Sequence, residues 1–379
     1  MIKQYKLRVY NFRLVVFLLA ISFIGIHLVG TAADYLRTRQ LLGVIIGVVF
    51  MLLLSLMDYS WLLNFQWIMY GFNIVMLLAV RFFGSSANGA ARWVDLGFIR
   101  FQPTELSKII IILFFAKFFM DHEDDLNTLK TLAQSAVLLV IPLMLIYVQP
   151  DMKNTITVVI LFCILIYIAG LSYKIIGGAA LIAIPLAIIF LSIVVQPDQK
   201  LIQDYQRNRI MTFFEPENNE DGAYQQKYSV QAIGSGQLSG KGLNNDDPSS
   251  LNNAHYIAEG HTDFIFAVMG EELGFIGCCM AILLLSWIVI ECIIAAVRAK
   301  DFAGRLICCG VAAQIGFQSA LNIAVATQLL PNTGQPLPFF SYGLTSLVSA
   351  YISMGVVLNV SLQRNVERDD EIFADDFRG

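Results

Sequence analysis

Ala258-Glu-Gly-His-Thr-Asp-Phe-Ile-Phe-Ala-Val-Met-Gly-Glu-Glu-Leu-Gly274 is the stretch where a long polar segment dives back into apolar sequence. Asp263 stands at the mouth of what reads as a membrane helix. From it Ala267, Gly270, Gly274 and Gly277 follow at spacings of 4, 3, 4 and 3, which share one helical face. Small residues on one face let another helix approach closely, the usual packing device within a membrane. The stripe is therefore expected to face a bundle interior, with Asp263 at its head. An ionisable group in that place is costly and marks a functional-site candidate. The other reading is a helix-capping aspartate, since Asp is favoured at the N-cap. The two are compatible.

Composition supports a membrane setting. The chain of 379 residues is 57% hydrophobic and 14% charged, with a mean hydropathy of +0.66. These values exclude a soluble globule and predict an all-α integral membrane protein. A span needs roughly 20 apolar residues. Ten candidates lie near residues 14–33, 40–57, 62–83, 104–119, 131–148, 154–170, 174–195, 264–296, 304–330 and 342–362. Residues 1–13 read as a short basic N-terminus, 14–363 as the polytopic domain and 364–379 as an acidic tail. Ten spans put both termini on one side. With the N-terminus cytoplasmic, thirteen Lys and Arg fall inside and six in the short outer loops, so the positive-inside rule predicts both termini cytoplasmic. The long loop 196–263 then lies outside, and Asp263 at the outer membrane face. All six cysteines sit in apolar spans, so neither a disulfide framework nor a thiolate metal site is expected. No basic stripe with interleaved aromatics is present, which argues against nucleic acid.

Polar residues in and around the spans supply the other candidates. Residues 84–91 are rich in Gly, Ser and Asn and read as a loop. Arg92-Trp93 reads as an interfacial anchor or a substrate contact. Pro103 opens a helix on which Glu105 and Lys108 share a face at i, i+3. That pair either stabilises the helix start or lines a cavity. Val148-Gln-Pro-Asp151 and Val195-Gln-Pro-Asp198 each end a span at a proline. Within the outer loop, residues 205–217 can form an amphipathic helix whose Arg207 and Arg209 are the cations placed to approach Asp263. The glycine-rich run Gly234-Ser-Gly-Gln-Leu-Ser-Gly-Lys-Gly242 reads either as an anion-binding nest or as a flexible linker. His255 and His261 approach Asp263, and either could ligate a metal. Gln314, Gln318 and Asn322 form one polar stripe, and Tyr342, Ser346, Ser349 and Ser353 another. Such stripes line a cavity or bond to neighbouring helices. Between them, Pro331, Pro336 and Pro338 rule out regular helix.

Five ordered blocks then carry a resemblance: Gly89-Ala-Ala-Arg-Trp-Val94, Phe101-Gln-Pro-Thr-Glu-Leu-Ser-Lys108, Glu259-Gly-His-Thr-Asp-Phe-Ile-Phe-Ala267, Gly270-Glu-Glu-Leu-Gly274 and Leu337-Pro-Phe-Phe-Ser-Tyr-Gly343. Together they resemble the signature blocks of the SEDS family (shape, elongation, division and sporulation) across nearly the whole chain. Residues 234–242 lean toward its RodA-like elongation branch. The resemblance implies a peptidoglycan glycosyltransferase with ten membrane helices acting on lipid II at the growing glycan strand. It also implies a class B penicillin-binding protein as partner. Asp263 matches the family's essential aspartate, and Trp93, Glu105 and Lys108 match further positions on which the family depends. The chain departs from the pattern at Met152-Lys153, where Leu-Gly is usual, at Ala258 and at Leu344. On this reading Asp263 is the general base, His261 lies beside the substrate, and Arg207, Arg209 and Lys108 offset charge on the leaving diphosphate. A divalent cation could share that work, although no ligand set shows in the sequence. A flippase for the lipid-linked precursor is the alternative, because polar stripes also suit a translocation path.

Overall fold

Within a lipid bilayer every backbone N–H and C=O must find a partner inside the protein, so apolar segments of this length are constrained to helix. The computed structural model describes residues 10–364, apart from 88–89, 96–99, 195, 197–201, 203, 216, 218–219, 245–248 and 255. Expectations for residues 1–9, His255, the second Val-Gln-Pro-Asp block and the acidic tail fall outside that set.

The described chain begins with α1 (Phe12–Ala32), α2 (Asp34–Leu56), the short α3 (Tyr59–Leu63) and α4 (Gln66–Phe83). Strands β1 (Gly84–Ala87), β2 (Ala90–Asp95) and β3 (Arg100–Phe101) follow, then α5 (Pro103–Asp121), α6 (Leu129–Val148), α7 (Met152–Ile168) and α8 (Tyr173–Val194). The outer segment contributes α9 (Asp204–Phe214) and α10 (Glu220–Ser235), and α11 (Ile265–Val297), α12 (Phe302–Ala326) and α13 (Leu344–Leu362) complete the chain. All ten expected spans appear within a few residues of their predicted bounds. Seven helices (α1, α2, α4, α6, α11, α12 and α13) are long and apolar enough to cross a membrane, and α7 and the first part of α8 are shorter apolar helices. The tenth, α5, carries Glu105, Lys108, Lys117 and Asp121 yet is buried along nearly its whole length. It packs against α4, α7, α12 and α13 and forms the centre of the bundle. Outward-facing residues such as Phe72, Val75 and Leu283 stay exposed, forming the belt expected of a lipid-facing surface.

The described part of 84–91 corrects the loop expectation: residues 84–87, 90–95 and 100–101 form a three-stranded antiparallel sheet in which Ser85 pairs with Trp93 and Val94 with Phe101. The signal was available in the sequence: Asn88-Gly89 lies between the paired Ala87 and Ala90, and Asn-Gly is the preferred dipeptide for a two-residue hairpin.

Within the small-residue stripe of α11, Gly270 and Gly274 pack closely, but against the outer segment rather than another spanning helix. The helix breaks at Gly274, where φ is 64° and ψ is −165°. Residues 265–272 before the break are buried, and the span continues beyond it. The glycine-rich run wraps around the break. Lys241 N–H donates to Glu271 O at 2.9 Å and Gly242 N–H to Glu272 O at 2.9 Å, while Phe275 N–H donates to Gln237 O at 2.9 Å and Ile276 N–H to Leu238 O at 3.1 Å. The run is therefore neither a flexible linker nor a free nest, because its amides and carbonyls are spent on those freed by the kink. Two glycines make this possible. A Cβ at Gly236 would stand 1.9 Å from Gly270 O, and one at Gly240 2.1 Å from Glu272 O. Side chains reinforce the wrap: the fully buried Glu271 accepts from Lys241 Nζ at 2.8 Å, Leu251 N–H at 2.7 Å and Asn252 N–H at 2.9 Å.

Gly274→Ala should therefore lower thermal stability sharply. It forces a Cβ to 2.3 Å from Gly240 N and places alanine at positive φ, which costs of order 1–3 kcal/mol for the strain alone. Gly71→Ala, in a helix with nothing within 4 Å of the added carbon, should leave the melting temperature unchanged or slightly raised. Melting of the detergent-solubilised protein compares the two.

Candidate active site

The turn before α11 is held by its own carbonyls. Ser341 Oγ donates to Thr262 O at 2.6 Å, Tyr342 N–H to His261 O at 2.8 Å, and Asn322 Nδ2 to Asp263 O at 2.7 Å. Each of three successive carbonyls thus has a donor from α12 or from the proline-rich loop 331–343. The same Asn322 amide donates to Gln335 O at 2.7 Å, and Ser341 Oγ accepts from Leu337 N–H at 2.8 Å. Within the polar stripe on α12, Asn322 therefore acts by bonding, whereas Gln314 Oε1 and Gln318 Nε2 are buried without a hydrogen-bond partner among the described residues. Gln314, Gln318 and Asn322 are all buried, and none of them lines the cavity described below.

Fixing the backbone frees the Asp263 side chain. The N-cap of α11 is Phe264, with no capping side chain, so Asp263 is not the capping residue. Its carboxylate faces a cavity of ≈ 350 Å³ lined also by Arg92, Trp93, Glu105, Lys153, Arg209, Glu259, Gly334 and Tyr342. Gly334, at φ +72°, lets the 331–343 loop pass beside the acid: a Cβ there would stand 3.1 Å from Asp263 Oδ2 and 3.2 Å from Arg209 Nη1. Desolvation raises the Asp263 pKa above its ordinary 3.8; Lys153 and Arg209 oppose that rise, Glu259 adds to it and His261 opposes it.

The predicted residues divide by position. Asp263, Trp93, Glu105 and Arg209 share the one cavity. Lys108 does not reach it: its ammonium is fully buried and donates to Glu105 Oε2 at 2.9 Å. Glu105 and Lys108 are a buried ion pair with the acid at the cavity wall, so Lys108 is not placed to hold a diphosphate directly. Arg207 is turned away, its Nε donating to Gln196 O at 3.1 Å. His261 is absent from the cavity wall; its ring packs 6.1 Å from that of Tyr342, and its Nε2 lies 3.9 Å from Glu259 Oε2.

Two features were not anticipated as site residues. Lys153, on the first turn of α7, lines the cavity and donates to Gly334 O. Buried Asp151 organises the neighbouring wall. It accepts from Gln102 Nε2 at 3.1 Å, Thr104 Oγ1 at 3.3 Å and Asn154 Nδ2 at 2.8 Å, and it caps α7. An aspartate directly before a helical apolar run was the available signal for the cap. Its long-range partners had none. Among the described residues no three His, Cys, Asp or Glu side chains converge as a metal-ligand set, so no step is assigned to a divalent cation.

A bundle of apolar helices with a buried central helix and an acid-bearing polar cavity at one end defines a multi-pass membrane protein with an enzyme-like site. A family model described as a cell cycle protein family, FtsW/RodA/SpoVE, matches residues 4–366, and the chain belongs to that family. It is 35% identical over 297 residues to the peptidoglycan glycosyltransferase MrdB of Escherichia coli K12, covering 77% of this chain and 76% of the relative. It is 30% identical over 376 residues to a probable peptidoglycan glycosyltransferase FtsW of Trichlorobacter lovleyi, covering 95% of both. The fold superposes with a TM-score of 0.76 at 26% identity on a chain from a peptidoglycan synthase complex that coordinates polymerisation and crosslinking, covering 93% of this chain and 97% of the other. Against the rod-shape-determining protein RodA of Thermus thermophilus the TM-score is 0.68 at 26% identity, covering 94% and 97%.

Asn322→Ala should remove donors from two carbonyls at once. Each buried acceptor left unsatisfied costs about 1–3 kcal/mol. The expected outcome is a lower melting temperature together with reduced turnover, although Asp263 is unaltered, and melting curves paired with activity assays check it.

Proposed function

We propose that Asp263 is the general base with which this chain, a peptidoglycan glycosyltransferase, polymerises lipid II. The observation that carries this reading is a carboxylate relieved of any capping role and held at a cavity wall with Lys153 and Arg209 beside it. In the reaction an acceptor sugar hydroxyl attacks the anomeric carbon of the donor. The new C–O bond forms as the bond from that carbon to the diphosphate oxygen breaks, its electron pair leaves with the diphosphate, and the configuration inverts. The hydroxyl proton passes to Asp263. A base works best with a pKa near the operating pH, and partial desolvation moves this acid in that direction. Arg209, at the same wall, is the cation placed to offset charge on the leaving diphosphate, as guanidinium clamps do elsewhere. Arg207 and Lys108 take no direct part in this version of the mechanism.

Removing the base should reduce kcat by about 10²–10⁴-fold. Asp263→Asn, assayed with purified lipid II, is expected to lose polymer while keeping its fold; full activity would reject the assignment. In the wild type the carboxylate is the active form, so the rate should fall as pH drops through the raised pKa. The midpoint of that acidic limb should lie above 3.8.

The partner follows from the same reading. A class B penicillin-binding protein would take the nascent strand and crosslink it, in line with the peptidoglycan synthase complex that has a chain of this fold. For the new strand to meet such a partner, the end of the bundle bearing α9, α10 and Asp263 faces outward and both termini lie in the cytoplasm. A fluorescent protein fused after Gly379 should therefore be fluorescent, and a periplasmic phosphatase fused there inactive; an active phosphatase would reverse the orientation.

A further inference from the structure

The cavity around Asp263 does not end at its cations. Arg92, Lys153 and Arg209 line it, and the same three side chains also line a second, smaller cavity of ≈ 160 Å³. The rest of that smaller wall is mostly apolar and includes Ile156 and Ile210. Three positively charged side chains are thus shared between a polar chamber that holds the acid and a largely apolar one.

Lys153 stands where the family pattern usually has glycine, and glycine would remove one of the three charges shared by the two cavities. Arg92 is already committed, with Nε donating to Gln149 O at 3.4 Å and Nη2 to Pro150 O. Lys153 donates to Gly334 O, its one hydrogen-bond acceptor among the described residues. An ammonium has three N–H donors, so two are left to meet a ligand. The bond to Gly334 also holds Lys153 beside the backbone that passes Asp263 and Arg209.

We propose that Lys153 is a donor-binding residue, gripping the diphosphate of a polyprenyl-diphosphate sugar where the two cavities meet. The sugar then lies in the polar cavity within reach of the acceptor, and the first isoprene units lie in the apolar cavity against Ile156 and Ile210. This assignment rests on the glycosyltransferase reading above. It separates donor from acceptor: the lipid-linked leaving group occupies the side of the shared cations away from the base, and the attacking hydroxyl occupies the side of Asp263. One charge then serves two steps, holding the diphosphate before bond breaking and accepting its added charge afterwards.

The test uses the full chain in nanodiscs with its penicillin-binding partner. Polymerisation of lipid II gives KM and kcat, and undecaprenyl diphosphate, undecaprenyl monophosphate and inorganic pyrophosphate serve as inhibitors. Lys153→Met should raise KM and weaken inhibition by undecaprenyl diphosphate about tenfold, the order expected for one charge-assisted hydrogen bond. Inhibition by the monophosphate should change less, and Lys153→Arg should recover most of the loss. Ile210→Trp, which fills the apolar cavity, should weaken undecaprenyl diphosphate while leaving inorganic pyrophosphate unaffected. KM and product inhibition within twofold of wild type in Lys153→Met would overturn the proposal. So would a loss that disappears when anionic phospholipid is left out of the nanodiscs, because the lysine would then be reading bulk headgroups. Asp263→Asn separates the two readings: it should bind undecaprenyl diphosphate normally without turnover. Full turnover in that variant strikes the base assignment and leaves the Lys153 result to be judged by binding alone.

Discussion

One buried amide joins the parts of the site. Asn322, on α12 in the bundle interior, donates both to Asp263 O and to Gln335 O at 2.7 Å. The first bond fixes the turn that carries the acid. The second fixes the loop that brings Gly334 alongside it. Neither segment is regular helix, and Asn322 and Gln335 are buried. Buried backbone polar groups need partners within the protein, and Asn322 satisfies two such groups at once. A hydrophobic residue at this position would give the bundle the same volume but leave two carbonyls without a donor.

The break in α11 obeys the same constraint on a larger scale. An unbroken helix would leave nothing for the outer segment to bond to. With Gly274 outside helical geometry, residues 270–276 present carbonyls and amides sideways, and residues 237–242 answer them. The outer segment is thereby tied to the spanning helix by backbone as well as by side chains. That attachment matters for the chemistry, because α9 carries Arg209 and α10 packs on α11 just beyond the acid. A cation on a loosely tethered loop would lose side-chain and backbone entropy each time it met a ligand. Here much of that ordering is already done by folding.

What the sequence could disclose depended on the range of the interactions. The spans were legible because apolar runs of near-constant length leave few alternatives, and α9 was legible from its amphipathic pattern. Asp263 could be singled out because a carboxylate at a helix mouth above a small-residue stripe is unusual in any chain. The stripe's partner was not legible: periodicity says which face packs closely, not which segment comes to meet it. Positive φ at Gly274 looks in sequence like one more glycine in a small-residue face. The stripe of Gln314, Gln318 and Asn322 offered two readings, cavity or bonding, and for Asn322 only the positions of Asp263 O and Gln335 O decide between them. Arg207 and Arg209, two residues apart, were equivalent on paper. A helix places residues so spaced about 200° apart, so at most one of the two could face the acid.

Lys153 was visible only as a departure from a pattern, and its meaning depends on where Gly334 runs. In the mechanism proposed above, the base faces competing demands. Water must be kept away from the reacting carbon, and the desolvation that achieves this raises the pKa of Asp263. Lys153 and Arg209 oppose that rise, but a cation in direct ion-pair contact would occupy the oxygen that takes the proton in the proposed mechanism. The structure meets both demands by holding the positive charges across Gly334 rather than on the carboxylate. Arg209 and the backbone of Gly334 stand beside Asp263 Oδ2, while Lys153 is turned to the carbonyl of the same glycine. The cations act on Asp263 through their field, and their hydrogen bonds remain for the ligand that carries the larger negative charge. A glycine with no side chain is what allows three charged groups to converge so closely without closing the space in which the sugar must sit.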